Sequence, residues 1–419
     1  MASIHGGARS DSLETPYRPR AIAFVNRAGA ALGFGKKPLT VGRLVDRARK
    51  SAGLARFDTE DFLVPLGKLV ESINAEAHLH LVGRAILENK LVGQLAGRLR
   101  AQALFEAHPE ILDIPIEAPI VIAGLQRTGT TMLHRLLSED PGIRALASWE
   151  ALEPVPKAKP RPRQKEDPRV GFARMAEKGL AYMAPAFFAI HPVEATAPEE
   201  EVLLLDYSFL STTPESTLHV PTFARWLEDQ DQTPAYAYMK KLMQLLLWQR
   251  PAERWVLKTP HHLEWLDTLF AVFPDAKVVQ THRDPAKTLA SFSSMITHGR
   301  GVFSDEVDPR EVAAHWLRKT SRMVTRAMES RDRVGEASFI DVSYYDLLAD
   351  PMAEMERIYA FAGRELTAAA RARMEASREV NVQNRFGVHS YRLEDFGLSA
   401  ESVEPYYAAY RARFGVRRE

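Results

Sequence analysis

With 419 residues, 46% hydrophobic and 26% charged side chains, the chain has the makeup of an ordinary globular protein and can bury a large core as one domain or two closely joined ones. Its 55 basic residues are balanced by 54 acidic ones, so a net charge of +1 supplies no global field toward nucleic acid or an anionic membrane, and any bound anion needs a local site. The lack of cysteine excludes disulfides, thiolate catalysis and cysteine-ligated zinc, and accords with a reducing compartment.

The first segment, "MASIHGGARSDSLETPYRPR" (1–20), is polar, lacks the apolar centre of a signal peptide or anchor, and reads as a flexible tail. No run of about 18 apolar residues follows, so no membrane span is expected and the protein is expected to be soluble and cytoplasmic. Residues 21–115 read as a helical N-terminal region. Its clearest stretch, "LHLVGRAILENKLVGQLAGRLRAQALFEA", places Leu81, Ile86, Leu91, Leu95 and Leu99 close to the helical repeat.

From 116 to 419 short apolar runs are followed by amphipathic helices, the rhythm of a parallel sheet with crossover helices. "APIVIAG" (118–124) reads as a buried strand running into "GLQRTGTT" (124–131). The helix that follows carries Met132, Leu133, Leu136 and Leu137 on one face and stops at Pro141-Gly142. Residues 153–168 are too proline-rich and charged for a core element, whereas 235–249 reads as a core helix. Later strands are predicted at "RWVLK" (254–258), "AKVVQT" (276–281) and "ASFIDVS" (337–343), and Asp350-Pro351 with Gly363 brackets a helix.

The 124–131 loop keeps the glycine spacing of a nucleotide-triphosphate loop, G-x-x-x-x-G-K-[ST], but Thr130 stands where the lysine belongs. A glycine turn feeding a helix offers backbone N–H groups and the positive end of the helix dipole to an anion. Thr128, Thr130 and Thr131 add hydroxyls, and Arg127 adds a fork that grips two oxygens at once. The same residues also suit a plain threonine-capped helix start. A second element, "VVQTHRDPAKTLASFSSM" (278–295), puts Arg283 past a strand, Pro285 at a helix start and Ser291 about two turns in. Such a pair brackets one phosphate, or is merely a surface arginine and a helix serine.

Together the two stretches resemble the sulfotransferases that use 3′-phosphoadenosine 5′-phosphosulfate (PAPS). In that family a [KR]-[ST]-G-T-T loop holds the 5′-phosphosulfate and an R-x7-S element after a later strand holds the 3′-phosphate; "RTGTT" and "RDPAKTLAS" match both, in order. "YYDLLADP" through "FAG" (344–363) is similar to the family's stretch after its last core strand. The resemblance spans roughly residues 116 to 395. It implies an α/β, P-loop-type three-layer fold with a central, mainly parallel sheet, and metal-independent in-line transfer of the sulfuryl group of PAPS to a hydroxyl of a small molecule, lipid or carbohydrate. It also implies donor contacts from Arg127, Thr128, Gly129, Thr130, Thr131, Arg283 and Ser291, and from Arg385 in the basic loop 381–398. Arginine in place of the usual loop lysine is similar to the branch that includes tyrosylprotein and many bacterial members.

Sulfuryl transfer requires a cation at the leaving group and a base at the acceptor. Arg127 and Lys258, at the end of "RWVLK", are the expected cations. Glu150, in "RALASWEALEP", is the preferred base by the resemblance, with His262 and His261 competing, one orienting the site and the other facing solvent. Phe187, Phe188, Tyr207 and Phe209 would line an acceptor cleft or, more commonly at such spacings, the core, and His191 and Glu199 to Glu201 offer polar contacts. Two other classes compete. A nucleotide kinase or NTPase with a degenerate loop leaves Thr130 and the Arg283/Ser291 pair unexplained, and a non-catalytic nucleotide-binding module has no need of Glu150, Lys258 and the histidines.

Overall fold

Four helices, α1 (Arg20–Ala31), α2 (Val41–Ala52), α3 (Leu63–Glu76) and α4 (Leu81–Ala107), precede the first strand of the chain. The computed structural model describes residues 13, 15–35, 37–157, 166–380 and 391–419. Along α4 the buried row is Leu87, Leu91, Leu95 and Leu99, spaced by four; Ile86, expected inside, is 37% exposed because it lies one position off that row. Most of the 1–20 tail lies outside the described residues. Its last part is anchored, since Arg18 pairs with Asp305 at 2.7 Å and Pro16 sits against Gly301.

Five short strands form the centre: β1 (Ile120–Gly124), β2 (Ile143–Ala145), β3 (Arg254–Lys258), β4 (Lys277–His282) and β5 (Phe339–Ser343). They lie in the order β2-β3-β1-β4-β5, and every neighbouring pair is parallel. Four of the five fall where the apolar runs place them. β2 carries no such run: its three residues include Arg144, and it becomes a strand through pairing with Arg254–Val256 of β3.

Along β1, Ile120 and Ile122 face the layer formed by Leu133, Leu136 and Leu137 of α5 (Thr130–Leu137) and by Met355 and Ile358 of the helix Pro351–Phe361. Val121 and Ala123 face the opposite layer with Trp255, Leu257 and Val278. Both faces of the sheet are therefore covered, which is why its strands read as unbroken apolar runs. The second face shares one apolar cluster with Leu66, Leu95 and Leu99 of the N-terminal helices. The helix Thr233–Gln249 completes that layer with Tyr236, Met239, Leu242, Met243 and Leu246 all fully buried. Asp350 accepts from the N–H groups of Met352 and Ala353 at 3.1 Å, and Gly363 takes a φ of 63°, so the bracketed helix ends as its sequence signals. No helix among the described residues is long and apolar enough to cross a membrane.

The helix Pro309–Val334 carries a fully buried Lys319. Its Nζ lies 2.8 Å from Glu264, 3.3 Å from Glu215 and 3.5 Å from Glu228. Burial alone would push this ammonium toward its neutral form, but the three carboxylates outweigh it and hold the group above the ordinary lysine value. The cluster ties the long helix to the turn after β3 that ends in Glu264. Replacing Lys319 by Met removes the one cation shared by all three carboxylates, leaving Arg318, Arg322 and His315 as their remaining partners, and is expected to lower unfolding free energy by about 3 kcal/mol in urea titration.

Candidate active site

The carboxyl ends of β1 and β4 meet where the outgoing connections diverge, α5 leading toward β2 and the helix Pro285–Arg300 leading toward β5. Open α/β sheets place ligands at such a switch point. Gly124 ends β1 in register with Thr281 of β4, and a Cβ on it would lie 1.9 Å from Thr281 Oγ1. Only glycine permits this approach. Thr128 fills the corner: its fully buried hydroxyl donates to Leu125 O at 2.6 Å and pairs with Thr281 Oγ1 at 2.6 Å. A hydroxyl at this position is expected, from the loop pattern, to face a ligand. The structure spends it bracing the loop, because the turn folds it between the two strands.

Arg127 (φ 67°) and Gly129 (φ 90°) both adopt left-handed backbone, which turns successive N–H groups into one concavity. The first intrahelical bond of α5 runs from Leu133 N–H to Gly129 O, so the N–H groups of Thr130, Thr131 and Met132 precede it. The side chain of Thr131 is exposed while that of Thr130 is 6% exposed. Arg127 Nε donates to Ser291 Oγ at 3.1 Å, and Arg283 Nη1 donates to Arg127 O at 3.0 Å. Two motifs far apart in the chain thus converge on one place. Arg385 lies outside the described residues, and Arg392 nearby is taken up by Asp395.

Arg283 rests on the ring of Tyr344, its guanidinium carbon 4.0 Å from the centroid, and holds the Glu419 carboxylate in a two-point grip at 2.6 and 3.0 Å. Burial opposes ionisation of Glu419, but hydrogen bonds from Arg283 and Tyr345 outweigh it and hold the carboxyl below the usual range.

Lys258, expected as a second cation of the site, is 3% exposed at the end of β3. Its Nζ donates to Glu200 Oε1 at 2.6 Å, and Thr259 Oγ1 donates to Glu200 Oε2 at 3.1 Å. Glu201 accepts from Lys258 N–H at 2.7 Å and pairs with His262 Nε2 at 2.7 Å, while the Tyr236 hydroxyl and His262 Nδ1 share a hydrogen bond of 2.7 Å. These acidic residues arrive on a segment pinned beside β2: Trp149 N–H donates to Ala195 O, Ser148 N–H to Ala197 O and Glu199 N–H to Leu146 O. Their role was not visible in the sequence beyond a polar "EEE", since the partner Lys258 is remote along the chain. His191 joins this group. Burial, then the cations Lys258, Arg127 and Arg135, push its imidazole down to about 4 against the pull of Glu200, so it is neutral at pH 7.

Other expected residues occupy different surroundings. Glu150 is 1% exposed, and its oxygens accept from Arg144 at 2.6 Å, from Arg250 at 3.1 Å and from Ala147 N–H at 3.1 Å, closing the start of α6 (Ser148–Leu152). His261 was allowed to face solvent, but both histidines are buried in the turn after β3; His261 bonds Thr212 at 3.2 Å and lies 4.2 Å from Trp265. Burial, then His262 and Lys319, hold the His261 imidazole far below its ordinary value. Tyr207 and Phe209 are core residues, 4% and 2% exposed. Phe187, on a short helix Pro185–Ile190, is half-buried, 5.9 Å from the His191 ring and against Gly299.

A mixed α/β protein with an anion cradle at its switch point and a lysine at the end of the neighbouring strand has the architecture of a group-transfer enzyme. Comparison identifies the family: residues 119–368 match the model of the sulfotransferase family, and the chain belongs to that family. Sulfotransferase STF1 from Mycobacterium tuberculosis H37Rv is 35% identical with a TM-score of 0.78, over 88% of this chain and 99% of that one. Sulfotransferase STF9 from Mycobacterium avium is 29% identical with a TM-score of 0.82, over 91% and 98%. Among curated proteins, the omega-hydroxy-beta-dihydromenaquinone-9 sulfotransferases Stf3 of Mycobacterium bovis and M. tuberculosis are 24% identical over 272 residues. That match covers 59% of this chain and spans 63% of the length of those relatives.

Two outcomes are expected. Thr128→Val removes the brace between loop and β4 and lowers unfolding free energy by about 1–2 kcal/mol in chemical denaturation. The carboxyl of Glu199 is raised above its ordinary value by burial, then by Glu200 and Glu201, against the attraction of Lys258. Its protonated form is therefore the one the fold favours, so this contribution is complete below the ordinary carboxylate range and is lost as pH rises through the folded value. Thermal melts should accordingly show Glu199→Gln raising Tm at pH 8 and leaving it unchanged at pH 4.

Proposed function

We propose that the protein transfers the sulfuryl group of PAPS to the hydroxyl of a small-molecule, lipid or carbohydrate acceptor in the cytoplasm. The observation that carries this reading is the convergence of Arg127, Ser291 and Arg283 on one switch point, with Lys258 at the adjoining strand end. The residues present suit such a nucleotide. Arg283 already grips a carboxylate in the planar, two-point manner a phosphate takes, and the left-handed turn at Arg127 and Gly129 opens toward the start of α5. When bound, the donor supplies the sulfuryl group and a phosphate leaving group. On this reading the N–H groups at the start of α5, Thr131 and Arg127 hold the 5′ end, while Arg283 and Ser291 hold the 3′-phosphate.

Lys258 Nζ is placed to neutralise charge growing on the bridging oxygen, and needs to exchange Glu200 for that oxygen. We assign the acceptor's proton to Glu200, a partly exposed carboxylate 2.6 Å from that ammonium. Glu150, gripped by two arginines, and the two buried histidines then serve as supports: His262 orients Glu201, which in turn fixes the backbone of Lys258. An apolar acceptor is favoured by the cluster of Met183, Val302, Leu180, Phe187 and Phe303, whose Phe187 ring lies 5.9 Å from that of His191, and by the omega-hydroxy-beta-dihydromenaquinone-9 named for the Stf3 relatives.

Thermal-shift titration tests the donor: 3′-phosphoadenosine 5′-phosphate should raise Tm and ATP should not, whereas stabilisation by ATP alone would overturn the reading. Lys258→Ala and Glu200→Gln are each expected to lower kcat by about 10²–10³-fold while the nucleotide still raises Tm. Glu150→Gln should instead keep turnover and lower Tm. Because Glu419 occupies Arg283, Glu419→Gln should tighten 3′-phosphoadenosine 5′-phosphate binding several-fold in calorimetry.

A further inference from the structure

Helix α1 is inside out. A surface helix normally turns its apolar stripe inward and its polar residues to water. In α1 the buried positions are Asn26, whose Oδ1 accepts from Val82 N–H at 3.1 Å, and Gly29, where a Cβ would lie 2.2 Å from Leu81 Cδ2, with Ile22 half-buried one turn earlier on that face. The outward positions are Phe24 and Val25, followed at the helix end by Leu32 and, in the next turn, by Phe34. Their exposures are 68%, 44%, 73% and 62%. The turn after α1 is itself ordered, with Gly33 at a φ of 75° and Phe34 N–H donating to Gly29 O at 2.9 Å, so the phenyl ring is held outward.

Along this segment of the chain the charge has one sign. Between residues 15 and 45 the chain has six basic residues, Arg18, Arg20, Arg27, Lys36, Lys37 and Arg43, and no acidic one. Arg18 is taken up by Asp305, but Arg20, Arg27 and Lys37 are exposed and form no ion pair among the described residues. The near-neutral whole molecule therefore conceals a local cationic and apolar patch.

We propose that α1 and the turn after it form a docking surface for an anionic phospholipid bilayer, with Phe24, Leu32 and Phe34 entering the acyl boundary and Arg20, Arg27 and Lys37 meeting headgroup phosphates. A helix of this kind lies in the plane of the interface and spans nothing. A second copy of the chain is the less suited occupant, because a two-fold contact through this patch brings the same unpaired cations together, whereas anionic headgroups neutralise them. The inference stands apart from the sulfuryl-transfer reading, since its test contains neither donor nor acceptor.

The full chain is sedimented with vesicles of phosphatidylcholine alone and of equimolar phosphatidylcholine and phosphatidylglycerol. Binding is expected on the mixed vesicles, weak on phosphatidylcholine, and suppressed by salt. Replacing Phe24, Leu32 and Phe34 together by Ser should lower partitioning at least about tenfold on both. Replacing Arg20, Arg27 and Lys37 together by Gln should lower it on the order of 100-fold on mixed vesicles only, at roughly fivefold per cation. Thermal melts verify that both triple variants are folded, and the cationic triple decides the matter should the apolar one unfold. Wild-type protein that stays in the supernatant with mixed vesicles overturns the proposal, as does undiminished binding by the folded variants. Sedimentation velocity without lipid gives the remaining outcome: a dimer abolished by the serine triple, with no vesicle binding, assigns the patch to a second copy and overturns it too.

Discussion

The close approach of β1 and β4 at Gly124 and Thr281 is the contact on which the site depends. It requires a residue without a side chain on β1 and a hydroxyl on β4, and it leaves a corner that the Thr128 hydroxyl fills. Once the strands meet this closely, the loops leaving them share one edge. Arg283 can then donate to the backbone of Arg127, and Arg127 can reach Ser291 on the helix that follows β4. A larger residue at 124 would part the strands, and the 124–131 loop and the Arg283-to-Ser291 stretch would survive as sequences without meeting.

The electrostatics of that edge follow from burial. Cations that are poorly solvated need partners at all times, and here the partners are internal: Glu419 for Arg283 and Glu200 for Lys258. On the proposed reading, binding an anionic nucleotide exchanges one set of oxygens for another, and affinity reflects the difference between them rather than the full attraction of each pair. Glu201 differs from these, since its two oxygens are committed to Lys258 N–H and His262 and hold the end of β3 in place. Lys319 does comparable work deeper in the fold, sharing with Arg318, Arg322 and His315 three carboxylates that include Glu264 in the same turn.

Local patterns were legible where a residue acts on its own neighbours. The apolar runs of β1, β3, β4 and β5 mark strands covered on both faces, Asp350 and Gly363 mark helix ends by backbone geometry, and the Thr233–Gln249 helix shows its apolar content directly. β2 escaped notice because a three-residue strand with an arginine in it owes its conformation to β3. Tyr207 and Phe209 have the composition of a pocket and the location of a core, a distinction that only packing makes.

The glycine loop, the Arg283-to-Ser291 stretch and the order of strands and helices that present them could be read from the chain alone, because these depend on residue type and spacing over a few positions. Only the packed chain shows which acidic residue faces Lys258, that Glu150 is locked between Arg144 and Arg250, and that both histidines are buried in the turn after β3. It also shows that α1 turns its apolar face outward, since a helical pattern states which residues share a side but not which side meets the core. Charge pairing and burial are relations between distant segments, and the chain acquires them only when the sheet closes.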